Sequence, residues 1–150
     1  MKENERMEVW FEVLMEQNVS NEELCAIIGN IREVQKQAWY ELKQRKPSPA
    51  ELSYVIVKTK SDEVRKEAFK ELLRKKAPKD DLIYVLINVK DEEIIKEAWR
   101  KLITKKLTNQ DLFCIISHTT DPVNREAWSM LQERHPDEDD LHYMFPDTEL

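Results

Sequence analysis

The chain has 150 residues, of which 41% are hydrophobic and 36% charged, with a formal net charge of −6 and a single glycine. One glycine argues against sheets joined by tight turns and against any glycine-rich phosphate loop. No stretch approaches 18 consecutive apolar residues, so no transmembrane helix is expected, and the opening MKENERMEVWF lacks the apolar core of a signal peptide.

Residues 3–17 place Val9, Trp10, Val13 and Leu14 on one helical stripe, which Asn18-Val19-Ser20 breaks. Ser20 with Glu23 has the spacing of a capping box and opens a helix over Asn21–Asn30 with the stripe Leu24, Ile27, Ile28 and Ile31. A helix over residues 32–46 carries Val34, Ala38, Trp39 and Leu42, ends in Lys43, Arg45 and Lys46, which suit the negative end of its dipole, and cannot pass Pro47. Ser48 and Glu51 form a second box with Pro49 at the first helical position, and Leu52, Val55, Ile56 and Thr59 follow as a stripe. Ser61 or Asp62 caps the helix of Val64, Ala68, Phe69, Leu72 and Leu73. The next pair carries Leu82, Val85, Leu86 and Val89, then Asp91 as cap and Ile94, Ile95, Ala98, Trp99 and Leu102. Thr108 and Asp111 cap the helix of Leu112, Ile115 and Ile116, and Asp121-Pro122 starts that of Val123, Ala127, Trp128 and Leu131. A last short helix is expected over residues 138–145, stopped by Pro146.

These segments repeat. The Leu that follows an acidic residue recurs at Leu24, Leu52, Leu82, Leu112 and Leu141, with spacings of 28, 30, 30 and 29. The motif Ala–aromatic–x–x–Leu recurs at Ala38, Ala68, Ala98 and Ala127, with spacings of 30, 30 and 29, and Val9-Trp10…Val13 is a degenerate copy 29 residues upstream. Two independent anchors with one period predict an all-α solenoid, an α-α superhelix of four helix-hairpin repeats with a half repeat at each end. The expected boundaries within one domain, 1–150, are 1–19, 20–47, 48–77, 78–107, 108–135 and 136–150.

The pattern resembles the HEAT-like, armadillo-related α-helical repeats. The second-helix signature Val-Arg-x-x-Ala-x-x-x-Leu is matched in full by Val64, Arg65, Ala68 and Leu72, and Asp121-Pro122 echoes the turn of that family. The arginine of the signature is replaced by Gln35, Ile95 and Asn124 in the other copies, and these repeats are shorter than typical ones. The resemblance implies stacked helix pairs in a right-handed superhelix, second helices on the concave face, and a scaffold that binds proteins, less often nucleic acids.

Groups able to do chemistry are sparse. No Ser/His/Asp, Cys/His or HExxH arrangement is present, and His118, His135 and His142 occupy unrelated repeat positions, so neither an enzyme nor a metal or other cofactor is expected. Cys25 and Cys114 have no metal spacing and read as small buried hydrophobes, which suits a reducing cytoplasm. The charge is graded, −3 over residues 1–19, +5 over 20–107 and −8 over 108–150.

The second helices carry the candidate site. Lys36, Lys66, Lys96 and Arg125 stand two residues before each motif Ala, and Tyr40, Lys70, Arg100 and Ser129 lie four residues further on, sharing their helical face. Lys36, Tyr40, Lys66, Lys70, Lys96, Arg100 and Arg125 are therefore the expected partner-binding residues, beside a mainly acidic stripe of Gln37, Glu67, Glu97 and Glu126. Pairing between the two stripes on a solvated face is the structural explanation; a groove for an acidic peptide or a phosphate backbone is the functional one. The acidic pI and interleaved glutamates favour a protein partner over nucleic acid, with no membrane and with the chain monomeric or weakly self-associating. A ladder of Ala26, Tyr54, Tyr84, Cys114 and Tyr143 is expected to pack between repeats, and Trp39, Phe69, Trp99 and Trp128 to be core.

Overall fold

Five helix starts follow the capping side chains of the sequence, Ser20, Ser48, Ser61, Asp91 and Thr108. A computed structural model describes residues 3–134, and among these it contains nine α-helices and no strand. They are α1 (Glu3–Met15), α2 (Asn21–Asn30), α3 (Gln35–Gln44), α4 (Pro49–Lys58), α5 (Asp62–Arg74), α6 (Lys79–Asn88), α7 (Glu92–Leu102), α8 (Asn109–His118) and α9 (Val123–Glu133). Ser48 and Thr108 make reciprocal capping boxes with Glu51 and Asp111, while Ser61 and Asp91 cap α5 and α7 with their side chains alone. At Ser20 the box is one-sided: the hydroxyl accepts from the Glu23 amide and donates to the Glu23 carboxylate at 3.1 Å. The expected helix over residues 138–145, Tyr143, His135 and His142 lie outside the described residues.

The chain divides into two compact units, Met1–Asp81 and Leu82–Leu150. In the first, α2 pairs with α3, α4 with α5, and α2 also lies against α4. Leu24, Ile28, Leu42, Leu52, Ile56 and Leu72 form its core. The only glycine, Gly29, sits where α2 passes α4: a Cβ there would meet Lys58 Cβ at 3.0 Å and the Tyr54 hydroxyl at 3.4 Å. In the second unit α8 pairs with α9, and Leu82, Leu102, Leu112, Ile115 and Leu131 are the largest fully buried side chains. The motif alanines Ala38, Ala68, Ala98 and Ala127 are all completely buried, so the repeated Ala marks a place with no room for a larger side chain. Trp39, Phe69 and Trp99 are core as expected, whereas Trp128 is half-buried.

The signature position is used in three of its four copies. Arg65 donates from Nε to the Ile56 carbonyl at 3.1 Å, from one terminal nitrogen to the Thr59 carbonyl at 2.6 Å, and from the other to Asp62 at 2.6 Å. Asn124 donates to the Ile116 carbonyl, the equivalent place in the fourth hairpin. Gln35 reaches forward instead, its Oε1 accepting from the Thr59 hydroxyl at 2.9 Å and the Lys60 amide at 3.3 Å. Ile95 has no polar atom to offer. Cations that end the second helices have a further use: Arg45 donates to the Val19 carbonyl and Lys75 to the Pro47 carbonyl, each clamping a helix end onto the preceding loop.

Several expectations need correction. The stripe Val9, Trp10 and Val13 is not buried; these residues are 49%, 40% and 49% exposed, and Phe11 is the residue α1 buries. The reason is that Phe11, with Met7, Leu14 and Met15 half-buried beside it, supplies a competing apolar arc at i, i+4 spacing on the opposite side of the helix. The helix expected over residues 32–46 opens as a 3-10 turn, Arg32–Val34, with no side-chain cap, and becomes α-helical only from Gln35. Ile31 is half-buried at the end of α2. Tyr54 packs against Gly29, but Tyr84 is 36% exposed.

With almost no glycine available, the turns after the second helices place other residues in the left-handed region: Asn18 at φ 57°, Lys46 at 53° and Lys76 at 53°. Lys46→Gly and Lys76→Gly should each stabilise the fold by about 0.5–1 kcal/mol, since relief of Cβ strain outweighs the added freedom of the unfolded chain. Thermal melts of the two variants check this; lower melting temperatures in both would refute it.

Candidate partner-binding face

The seven candidate residues divide between the units: Lys36 and Tyr40 on α3 and Lys66 and Lys70 on α5 in the first, Lys96 and Arg100 on α7 and Arg125 on α9 in the second. All seven are exposed, because the i, i+4 spacing that joins each pair also turns it away from the buried Ala and aromatic positions. In the first unit, α3 and α5 are bridged side by side. Lys36 Nζ lies 2.9 Å from Glu63, Lys43 Nζ lies 3.7 Å from Glu67, and the Trp39 indole donates to Glu67 at 2.8 Å. A shallow hollow of about 150 Å³ remains between Lys36, Tyr40, Glu63 and Glu67. Tyr40 is 67% exposed beside it, a large aromatic surface that the packing does not use.

Three of the cations are satisfied within the chain. Lys36 pairs with Glu63, Arg100 with Glu97 at 3.1 Å, and Arg125 with Asp121 at 2.8 Å. Such exposed pairs are worth under about 1 kcal/mol each and yield readily to a competing carboxylate. Lys66, Lys70 and Lys96 are exposed and have no ion pair among the described residues.

The acidic stripe has a structural task that sequence reading missed. Glu67 accepts from Trp39, and Glu126 accepts from Trp99, in both cases from the second helix of the preceding hairpin. Phe69 has no N–H to donate, and Glu97, the glutamate one repeat on, turns to Arg100 instead. The signal was present: a Trp is followed by Glu 27 or 28 residues later. A buried indole N–H needs an acceptor.

The residues with reactive potential are quiet. Burial, and secondarily the Glu51 and Glu22 carboxylates, pushes the Cys25 thiol up to about 11, which keeps it a protonated packing group. Cys114 is half-buried rather than buried. His118 lies 2.9 Å through Nδ1 from the Cys114 carbonyl; a carbonyl only accepts, so Nδ1 carries the proton. Among the described residues no group of three or more His, Cys, Asp or Glu could hold a metal ion, and no helix is long and apolar enough to cross a membrane.

Among the described residues the structure is all-helical, with neighbouring helices packed side by side within each unit and cationic second-helix faces turned to solvent. Comparison with protein-family models, with curated proteins and with solved structures finds no match for the chain.

Proposed function

We propose that the protein is a non-enzymatic interaction module, a HEAT-like solenoid that binds an acidic segment of a partner protein along the exposed faces of its second helices. The observation that carries this reading is the set of cations that the repeat period places on the second helices of each unit, Lys66 and Lys70 in the first and Lys96 in the second, all exposed and none with an ion pair among the described residues. Within the first unit, Lys36 on α3 and Lys66 on α5 stand at the same point of successive second helices, a spaced charge that matches an extended chain better than a compact ligand. Tyr40 adds an aromatic surface at one end of the first unit's set, the type of residue enriched where proteins meet. A peptide is favoured over a phosphate backbone because Glu63, Glu67, Glu97 and Asp121 interrupt the cations: a peptide can space its carboxylates between neutral residues to avoid them, whereas a nucleic acid carries a charge at every nucleotide.

The test is fluorescence anisotropy with a labelled peptide rich in Glu and Asp, in parallel with single-stranded and double-stranded oligonucleotides, at low and moderate salt. The acidic peptide should bind, and a variant combining Lys66→Glu, Lys70→Glu and Lys96→Glu should bind it at least about tenfold more weakly. Equal binding by the variant, or binding of oligonucleotide in place of peptide, would refute the proposal.

A further inference from the structure

In the first unit, a gap of about 470 Å³ opens beside Gln35, lined by polar side chains that include Arg32, Lys36, Lys60 and Ser61. Gln35 is 6% exposed and closes the floor of that gap through its bonds to Thr59 and Lys60. Counting by the repeat, Ile95 stands where Gln35 does, and Lys96, Thr120 and Asp121 stand where Lys36, Lys60 and Ser61 do. The gap at that place in the second unit has a different character. It encloses about 530 Å³, and its lining includes the buried Leu86, Val89 and Val123 with the half-buried Ile87 and Ile95. Thr119, in the place of Thr59, turns its hydroxyl back to the Ile115 carbonyl at 2.6 Å instead of bridging to the neighbouring hairpin. With Ile in place of Gln the bridge is absent, and the cavity, of ligand-binding size, has a largely apolar floor.

Such a floor gives water nothing to bond, so the cavity favours an apolar group. The exposed polar side chains of its lining, Glu92, Lys96, His118, Thr120 and Asp121, stand at the rim. Asp121 is held by Arg125 at 2.8 Å, Glu92 contributes one negative charge, and Lys96 is exposed without an ion pair among the described residues. We propose that this pocket between the third and fourth hairpins receives an apolar side chain of a bound peptide, with a neighbouring carboxylate of that peptide on Lys96. A peptide is the occupant because the polar groups lie outside the floor: they can orient a backbone running past the mouth, while the floor selects only for bulk and apolarity. The proposal rests on the reading that an acidic peptide is bound, and it adds an anchor that charge alone does not supply.

The experiment is methyl NMR on the full chain, with assigned Ile95, Val89 and Val123 methyls, titrated with the capped peptide Gly-Ser-Asp-Glu-Leu-Asp-Glu-Ser-Gly and with its Leu-to-Ala counterpart. The leucine peptide should shift these methyls saturably, and the alanine peptide should bind at least about tenfold more weakly, the value of a buried aliphatic side chain. Ile95→Gln, which restores the residue of the first unit at a half-exposed site, should abolish the shifts, and Lys96→Glu, an exposed change that leaves packing intact, should weaken them about tenfold or more. Equal affinity of the two peptides overturns the proposal. Shifts confined to the Lys66 and Lys70 region, with the Ile95 and Val123 methyls silent, overturn it while leaving the proposed function standing. Shifts at Ile95 that survive in the triple lysine variant with Lys96 restored uphold the pocket and count against the cationic face of the first unit. No shift anywhere refutes both.

Discussion

Leu52→Ala is expected to lower the unfolding free energy by about 3 kcal/mol, measured by urea denaturation at unchanged slope. Leu52 is fully buried on α4, the helix that packs against both its own partner α5 and the preceding hairpin through α2. Three methyl-sized groups therefore vanish from a place enclosed on two sides, where collapse of the surroundings is hardest. The total stability of a domain this size is on the order of 5–15 kcal/mol, so the loss is a large fraction of it. Ala50, exposed on the same helix, is the control: Ala50→Ser should move stability by no more than about 0.5 kcal/mol. A loss below about 1 kcal/mol at Leu52 would contradict its place at the centre of the first unit.

The second large effect is at Arg65. Its side chain is 16% exposed and serves two backbone carbonyls as well as Asp62, which is 81% exposed. Arg65→Ala leaves the Ile56 and Thr59 carbonyls without this donor and should cost about 2–3 kcal/mol. Arg65→Lys should recover only part of it, since a single ammonium cannot reproduce the planar fork that reaches both oxygens. Asp62→Ala separates the contributions, because loss of the exposed ion pair should cost well under 1 kcal/mol. If Asp62→Ala proved as costly as Arg65→Ala, the ion pair rather than the carbonyl bonds would hold this turn.

Much of the fold was legible because the repeat states each contact several times. The Leu and Ala–aromatic anchors located α2 through α9, and the capping residues placed the starts of α4, α5, α7 and α8 correctly. The failures fall where a copy is degenerate. In α1 two apolar arcs compete, and periodicity alone could not choose Phe11 over Trp10. The segment 31–35 lacks a capping side chain, so its 3-10 start left no mark in the residue pattern. For the candidate face, exposure of the seven residues followed from helical spacing, but which cations pair among the described residues did not. Lys36 and Lys66 occupy the same repeat position; the first meets Glu63 only because α3 and α5 lie side by side. The apolar pocket was hidden for a similar reason. Ile95 read as one more missing arginine, and what it opens depends on Thr119 turning away.

The two indole–carboxylate bonds have a spectroscopic consequence. Trp39 and Trp99 each donate their N–H to a glutamate on the neighbouring hairpin, whereas Trp10 is 40% exposed. Indole emission is sensitive to that proton's partner, so each unit carries an internal optical gauge of the spacing between its hairpins. Peptide entering beside Ile95 would press on the α7–α9 seam that Trp99 spans, and the unlabelled protein would register it as light.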